Sequence, residues 1–323
     1  MIKNIKIEEN DQGQRLDKFL TKKLTNQSRS QVKKIIKNGL VLINNKTAKV
    51  HQFLKSGDEI KINEPKSKTT THKKEKQTKI IEPKIIFENH DFLILEKPVG
   101  LLVHPTEKKE TNTLVDWLLK KYPKIKNVGE QKYREGIIHR LDRDVSGIMI
   151  AAKTNKAFTY LKNQFKERKV KKEYFALVYG KIQENEGEIN LPIGRNKEGQ
   201  FVAHPRNGKE KFQDSDKIAK TKYKVVEYIK DYTLLKVQIL TGRTHQIRIH
   251  LSAIGHPILG DQIYQPKKKF FHFLRRKIKV VNPGRIFLHS AKIGFYNLKD
   301  EWVEFDSPLP KKLKDFLNEQ KSY

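Results

Sequence analysis

A chain of 323 residues, 36% hydrophobic and 33% charged, is long enough for two domains and contains no apolar run of membrane-spanning length. Its 68 Lys+Arg against 37 Asp+Glu give a formal net charge of +31, so the expected partner is a polyanion. Nucleic acid leads, because cations that neutralise phosphates release counterions, while an anionic membrane falls behind for want of a long amphipathic helix. The absence of cysteine excludes disulfides, thiol nucleophiles and Cys-ligated zinc together. The N-terminal Met-Ile-Lys-Asn-Ile-Lys-Ile carries no secretory apolar region, so the expected compartment is the cytoplasm.

From the N-terminus, Leu16, Phe19, Leu20 and Leu24 recur at helical spacing. Ser28 and Gln31 then form a capping box for a second helix with Val32, Ile35 and Ile36 on one face and Gly39 as its stop. The opposite face carries Arg29, Lys33, Lys34 and Lys37. On a lone helix that is a solvated surface; beside the overall charge it is a candidate nucleic-acid-binding face. Short strands follow at Val41–Ile43, ending in an Asn44-Asn45 turn, and at Glu59–Ile62. Residues 64–79 contain nothing apolar, so they cannot bury surface to offset ordering entropy and read as a flexible basic linker. The expected organisation is a small domain at 1–63, this linker at 64–79, and a large domain at 80–323.

In the large domain, residues 84–88, 92–95, 147–152, 174–178 and 234–240 read as strands, and residues 113–121 and 156–169 as helices. Phe158, Leu161 and Phe165 form one stripe of the second helix. The mixture predicts an α+β domain on a mixed, largely antiparallel sheet.

Three stretches could carry chemistry. In His139-Arg140-Leu141-Asp142-Arg143-Asp144-Val145-Ser146-Gly147, two carboxylates lie two apart on a loop that enters an apolar strand. This is either an ion-paired surface turn or a site in which arginines keep a carboxylate charged for work as nucleophile or base. In the run from Thr241 to His250, Gly242 turns the chain, Thr244 can cap a helix, and Ile247, Leu251 and Ile254 line its inner face until Gly255 and Pro257. His245 and His250 are five apart, not the four that would align two ligands, so no metal site is read. Tyr174, in Lys172-Glu173-Tyr174-Phe175-Ala176, is either a core aromatic on a strand or a ring on which a base stacks. No Gly-x-Ser-x-Gly elbow and no phosphate-binding loop occur. The residues therefore describe an RNA- or DNA-binding protein with an arginine-supported Asp, needing no thiol, nucleotide cofactor or metal.

The same residues resemble the RluA-type family of RNA pseudouridine synthases. His139-Arg140-Leu141-Asp142 followed by Asp144-Val145-Ser146-Gly147 is similar to that family's signature, with Val145 in place of the usual threonine. Lys97-Pro98-x-Gly100, Val103-His104-Pro105, the Tyr174 strand, Gly242-Arg243-Thr244-His245-Gln246-Ile247-Arg248 and His256-Pro257-x-x-Gly260-Asp261 match in order, over residues 85–310. Residues 13–62 resemble the alpha-L RNA-binding module of some ribosomal proteins. The segment around Leu118-Leu119 and Tyr122-Pro123 resembles the subgroup acting on large-subunit (23S) ribosomal RNA.

By this resemblance the protein would be an isomerase that detaches uracil at the N1–C1′ bond, turns it and rejoins it through C5, after flipping the nucleotide from its stack. Asp142 would be the catalytic aspartate, as nucleophile at the sugar or as base. Arg248 would pair with it, Tyr174 would stack on the flipped base and help in proton transfer, and Arg140 would fill the gap left in the RNA. Asp144 would play a supporting structural part. The expected partner is ribosomal RNA, without membrane, metal or cofactor, and the expected state is a monomer. Two other classes fit parts of the sequence. A non-enzymatic RNA-binding assembly factor has no need of the Asp–Arg constellation, and a metal-dependent nuclease using Asp142 and Asp144 lacks a third carboxylate placed to complete its site.

Overall fold

The computed structural model describes residues 3–24, 29–63, 82–106, 110–196, 198–204, 215–265 and 281–322, and the chain divides into two units at residues 78 and 79. In the first unit, β1 (Lys3–Lys6) precedes α1 (Leu16–Lys23) and α2 (Arg29–Lys37), and β2 (Val41–Ile43), β3 (Lys46–Thr47) and β4 (Glu59–Ile62) follow. The helical spacing works as expected: Leu16, Phe19 and Leu20 pack with Val32 and Ile36 in one core, each 1% exposed or less. The strands form an antiparallel sheet in the order β1-β4-β2-β3. Asn44 and Asn45, at φ 51° and 63°, make the tight turn between β2 and β3 that such residues favour. On α2, Lys33 is half-buried and Lys37 exposed. The side chains of Arg29 and Lys34, the Ser28–Gln31 capping box and the linker at 64–79 lie outside the described residues.

The second unit begins with β5 (Lys84–Glu88) and β6 (Phe92–Lys97), an antiparallel pair. Then comes α3 (Leu114–Lys121), for which Thr113 is the cap rather than the first helical residue: its hydroxyl accepts from Asp116 N while the Asp116 carboxylate accepts from Thr113 N at 2.8 Å. The apolar run after the Asp loop becomes β7 (Ser146–Ala152), buried at every residue. Next is α4 (Asn155–Lys166), capped by Thr154, whose hydroxyl accepts from Ala157 N. It ends three residues earlier than the spacing predicts, because Arg168 turns left-handed at φ 63°. Tyr174 lies in β8 (Lys171–Tyr179). Then follow β9 (Glu186–Asn190), β10 (Ile193–Arg195), β11 (Phe201–Ala203), β12 (Lys220–Ile229), β13 (Tyr232–Ile239) and α5 (Gln246–Ala253). The chain closes with β14 (Leu288–Tyr296), β15 (Trp302–Asp306) and α6 (Lys311–Lys321).

The large sheet runs β5-β6-β7-β14-β8-β13-β12-β9, with β15 also on β14 and with β10-β11 as a separate hairpin. Every pairing is antiparallel except β7 with β14, which gives the mixed, largely antiparallel sheet that the composition of elements implies. That one parallel contact is close. A Cβ on Gly147 would lie 2.2 Å from the Ser290 carbonyl oxygen, and φ is +124° there, so only glycine fits. β14 thereby carries its own residues into the middle of the sheet, between the strand that leaves the Asp142 loop and the strand that holds Tyr174.

Candidate active site

The loop at residues 139–145 is pinned from below before any of its side chains reach outward. Lys97, at the end of β6 and 0% exposed, donates from Nζ to the carbonyls of Pro98 (2.8 Å), Leu101 (2.8 Å) and Arg143 (3.1 Å). Gly100 N donates to Arg143 O at 2.8 Å, and Arg143 Nε returns a bond to Gly100 O at 3.2 Å. Burial, with the positive charge of Arg285 beside it, pushes the Lys97 ammonium down to about 7 against the pull of Asp142 and Asp144. From the far side, Arg285 Nη2 donates to Ser146 Oγ at 2.7 Å, and that hydroxyl lies 2.9 Å from His289 Nδ1. His289 Nε2 donates to Ser307 O at 3.1 Å, so its Nδ1 accepts from Ser146; burial pushes the ring down to about 4 and keeps it neutral.

In the sequence Lys97 stands out only as part of a motif, and its weight in the structure makes a direct test. Lys97→Met keeps the stem but removes three hydrogen bonds, leaving the carbonyls of Pro98 and Leu101 without their Nζ donor and that of Arg143 with Gly100 N alone. At roughly 1 kcal/mol or more for each, the second unit should lose about 3 kcal/mol, and for a domain of this size the melting temperature should drop by about 6–12 °C. A thermal melt by circular dichroism measures this; an unchanged midpoint would mean that the carbonyls find water instead.

Above this base, Asp142 opens into a cleft lined also by Arg140, Tyr174, His245 and Arg248. Arg248, on the first turn of α5, is the hinge of the site. Its Nε and Nη2 grip Asp261 at 2.7 and 2.8 Å, leaving Nη1 to donate to Asp142 Oδ2 at 3.2 Å. Asp261 is fully buried at its side chain and also accepts from the backbone N–H groups of Ile263 (2.8 Å) and Tyr264 (3.0 Å). Burial opposes the charge on both partners, but the fork between them lowers Asp261 and raises Arg248 from their ordinary values. Asp144 is exposed and does not line the cleft. Among the described residues no group of three or more His, Asp or Glu is placed to hold a metal ion.

The N-terminus of α5 is built differently from the sequence expectation. Thr244 does not cap it. His245 takes the cap position in a left-handed conformation, φ 56°, with no side-chain cap. The turn is closed instead by Gln246, whose Oε1 accepts from Thr241 Oγ1 at 2.7 Å and from Arg243 N at 3.0 Å. This turn brings His245 Nε2 to 3.8 Å from Asp142 Oδ2, too far for a hydrogen bond, while Nδ1 lies 3.0 Å from the Tyr264 hydroxyl. Burial lowers the His245 imidazole from its usual value in spite of Asp142.

Tyr174 is 5% exposed and borders the same cleft. It pairs with Ser290 across the strands and shares a hydrogen bond with that side chain. Burial, against that hydrogen bond, raises the phenol far above its usual value, so the ring is a protonated aromatic wall at neutral pH. Arg140 stands exposed at the rim, its Nη1 3.3 Å from His104 Nε2. Burial, and then the charge of Arg140, push His104 down to about 4, so a neutral ring accepts from the arginine. The sequence thus names Asp142, Arg248, Tyr174 and Arg140, which the fold brings to one cleft. It gives Asp261 and Lys97 no part of their own; for Asp261 the only available signal is its place in the His256-to-Asp261 motif.

Asp142, Tyr174, His245 and Arg248 all fall within a known sequence profile. The profile of the RNA pseudouridylate synthase family matches residues 91–253, and that of the S4 domain matches residues 14–60. The chain belongs to the RNA pseudouridine synthase family. It is an isomerase of uridine in RNA with an N-terminal S4 domain, as the RluA-type resemblance implied. It is 37% identical to an uncharacterized RNA pseudouridine synthase of Aquifex aeolicus, over 93% of this chain and 92% of that protein. It is also 33% identical to ribosomal large subunit pseudouridine synthase C of Vibrio parahaemolyticus, over 97% and 95% of the two chains. Among solved structures, human RNA pseudouridylate synthase domain containing 1 superposes with a TM-score of 0.54 at 26% identity, covering 76% of this chain and 96% of that one.

Proposed function

We propose that the protein converts uridine to pseudouridine in large-subunit ribosomal RNA, with Asp142 as the catalytic carboxylate. The observation that supports this most is the Asp261–Arg248–Asp142 chain of bonds, which aims one carboxylate oxygen into a cleft walled by Tyr174. The relatives named as ribosomal large subunit synthases supply the substrate. In the reaction the N1–C1′ bond breaks, the uracil turns, a C5–C1′ bond forms, C5 loses its proton and N1 gains one; no oxidant or reductant enters. Asp142 acts on the sugar as nucleophile or base, Arg248 holds it in place, and the Tyr174 ring receives the flipped base. Arg140, at the rim on its neutral His104 support, fills the space that the base leaves. No helix among the described residues is long and apolar enough to cross a membrane. We read the protein as a cytoplasmic monomer, with every described residue of the Asp142 cleft supplied by one chain. Mapping pseudouridines in ribosomal RNA from cells with and without it tests the reading: a large-subunit position should revert to uridine, and an unaltered map of that RNA would reject the substrate.

The S4 domain supports a division of labour. Arg29, Lys33, Lys34 and Lys37 are read as its RNA face, whereas every residue read as catalytic lies in the second unit. Removing residues 1–78 should therefore raise the protein concentration needed for saturation, with the single-turnover rate at saturation near that of the full chain. The salt dependence of binding should fall by about 0.7 for each phosphate of single-stranded RNA that is no longer neutralised. Normal binding with a lost rate would place the S4 domain inside the catalytic step.

A further inference from the structure

Beside the cleft, and sharing Arg140, Tyr174 and Arg243 with it, runs a groove of about 500 Å³ walled by α4, the turn after it and the start of β8. Lys162 and Lys166 come from α4, Arg168 from the turn and Lys172 from the strand, and among the described residues no carboxylate lines the groove. Lys162 is paired with Glu130, but Lys166, Arg168 and Lys172 have no acidic partner among the described residues that line the groove. The strand sorts its charges by face. Lys172 and Tyr174 are two apart and share one side, while Glu173 between them faces the other and reaches Lys171 at 3.3 Å and Lys236 at 3.9 Å.

The groove keeps its cations where no carboxylate along its walls balances them. The Lys172 ammonium lies 5.3 Å from the centre of the Phe165 ring, and His139 stacks on the same ring at 4.8 Å. His139 adds no charge: burial pushes it down to about 3, and its Nε2 accepts from Ile150 N at 3.1 Å. Burial also pushes Lys172 down to about 8, the cost of a cation partly stripped of water without a counter-charge. Arg168 adds a backbone cost, since it sits at φ 63° just past the end of α4, where glycine or asparagine is the usual residue.

We propose that this groove is a backbone subsite for the substrate RNA, in which Lys166, Arg168 and Lys172 receive the phosphates next to the uridine held in the Asp142 cleft. The proposal rests on the reading of Asp142 and Tyr174 as the reacting site. Lys172 is one side-chain repeat, about 7 Å along the strand, from the ring that receives the base, which is close to the phosphate spacing of an RNA strand. The cations then set which strand direction can enter, because only the flanking linkage on the α4 side meets them.

The test uses the full chain and a single-stranded oligoadenylate of about ten nucleotides with one central uridine, together with versions carrying an uncharged methylphosphonate on the 5′ or the 3′ side of that uridine. Lys172→Met keeps the apolar stem, and Arg168→Gly removes the guanidinium while relieving the backbone. Each should weaken binding about tenfold, the scale of one charged hydrogen bond, and lower the salt slope by about 0.7. One of the two methylphosphonates should weaken the wild-type complex likewise and add nothing to the loss in either variant. Wild-type affinity and salt slope in both variants, or a methylphosphonate penalty that adds in full to theirs, would overturn the subsite. Asp142→Asn separates the two readings: isomerisation that survives this substitution overturns the catalytic assignment, while the phosphate contacts are judged on the affinities alone.

Discussion

Asp142→Asn should abolish isomerisation, by about 10⁴-fold or more in single-turnover rate, while RNA binding stays within a few fold. That scale is the one reached when a general base or covalent nucleophile is removed from an otherwise intact site. The substitution deletes charge and almost no volume. Arg248 keeps its two bonds to Asp261, so the cleft retains its shape, and the asparagine oxygen can still accept from Nη1. The loop itself hangs on backbone groups tied to Lys97 and Gly100, which the change does not touch. Release of tritium from RNA labelled at uracil C5 follows the reaction, and filter retention follows binding. A variant within a hundredfold of wild type would remove Asp142 from the chemistry.

Arg248→Met should fail in two ways at once. The fully buried Asp261 side chain is left without its fork, which costs roughly 3–5 kcal/mol for a buried pair broken on one side, and Asp142 loses the donor that aims it. Arg248→Lys separates the effects. A lysine restores a charge to Asp261 but cannot span two carboxylates, so stability should return in part while the rate stays low. The acid limb of the stability curve gives a second readout. Asp261 is lowered in the folded protein by Arg248, so its contribution is complete above the unfolded carboxyl value, about pH 4, and is lost as pH falls toward the folded value. In the Arg248→Met variant that part of the acid dependence should disappear. A defect confined to RNA affinity, with normal melting, would show that Arg248 meets phosphate instead.

The parts of this site that sequence reveals are those in which local pattern and role coincide. The apolar run after Ser146 can only be a buried strand, and charges at its mouth demand an explanation. Asp261 carries as much of the geometry as Asp142, yet its partner is thirteen residues away around a turn, and no periodicity reports that. The capping of α5 escapes a sequence reading because Thr244 has the right chemistry for a cap, whereas the actual turn is closed by the side chain of Gln246 and a left-handed His245. β14 is hidden for a related reason. Its His289, Ser290 and Lys292 break the apolar signature of a strand, and each is explained only by a partner elsewhere: Ser146, Ile148 and Glu304 respectively. Polar residues that tie the strand to its neighbours conceal the strand that carries them.

The position of β14 also bears on how the protein is made. A ribosome releases β7 and β8 more than a hundred residues before the strand that joins them, and the hydrogen bond between Ser146 and His289 spans 143 residues. Until then the nascent second unit has two unpaired strand edges and an Asp142 loop anchored on one side only. Closure is thus a late, long-range event, the kind that slows folding. Activity should be absent from any chain that stops short of β14, however complete its motifs, and an S4 domain that folds first could already be holding RNA while the catalytic half is still open.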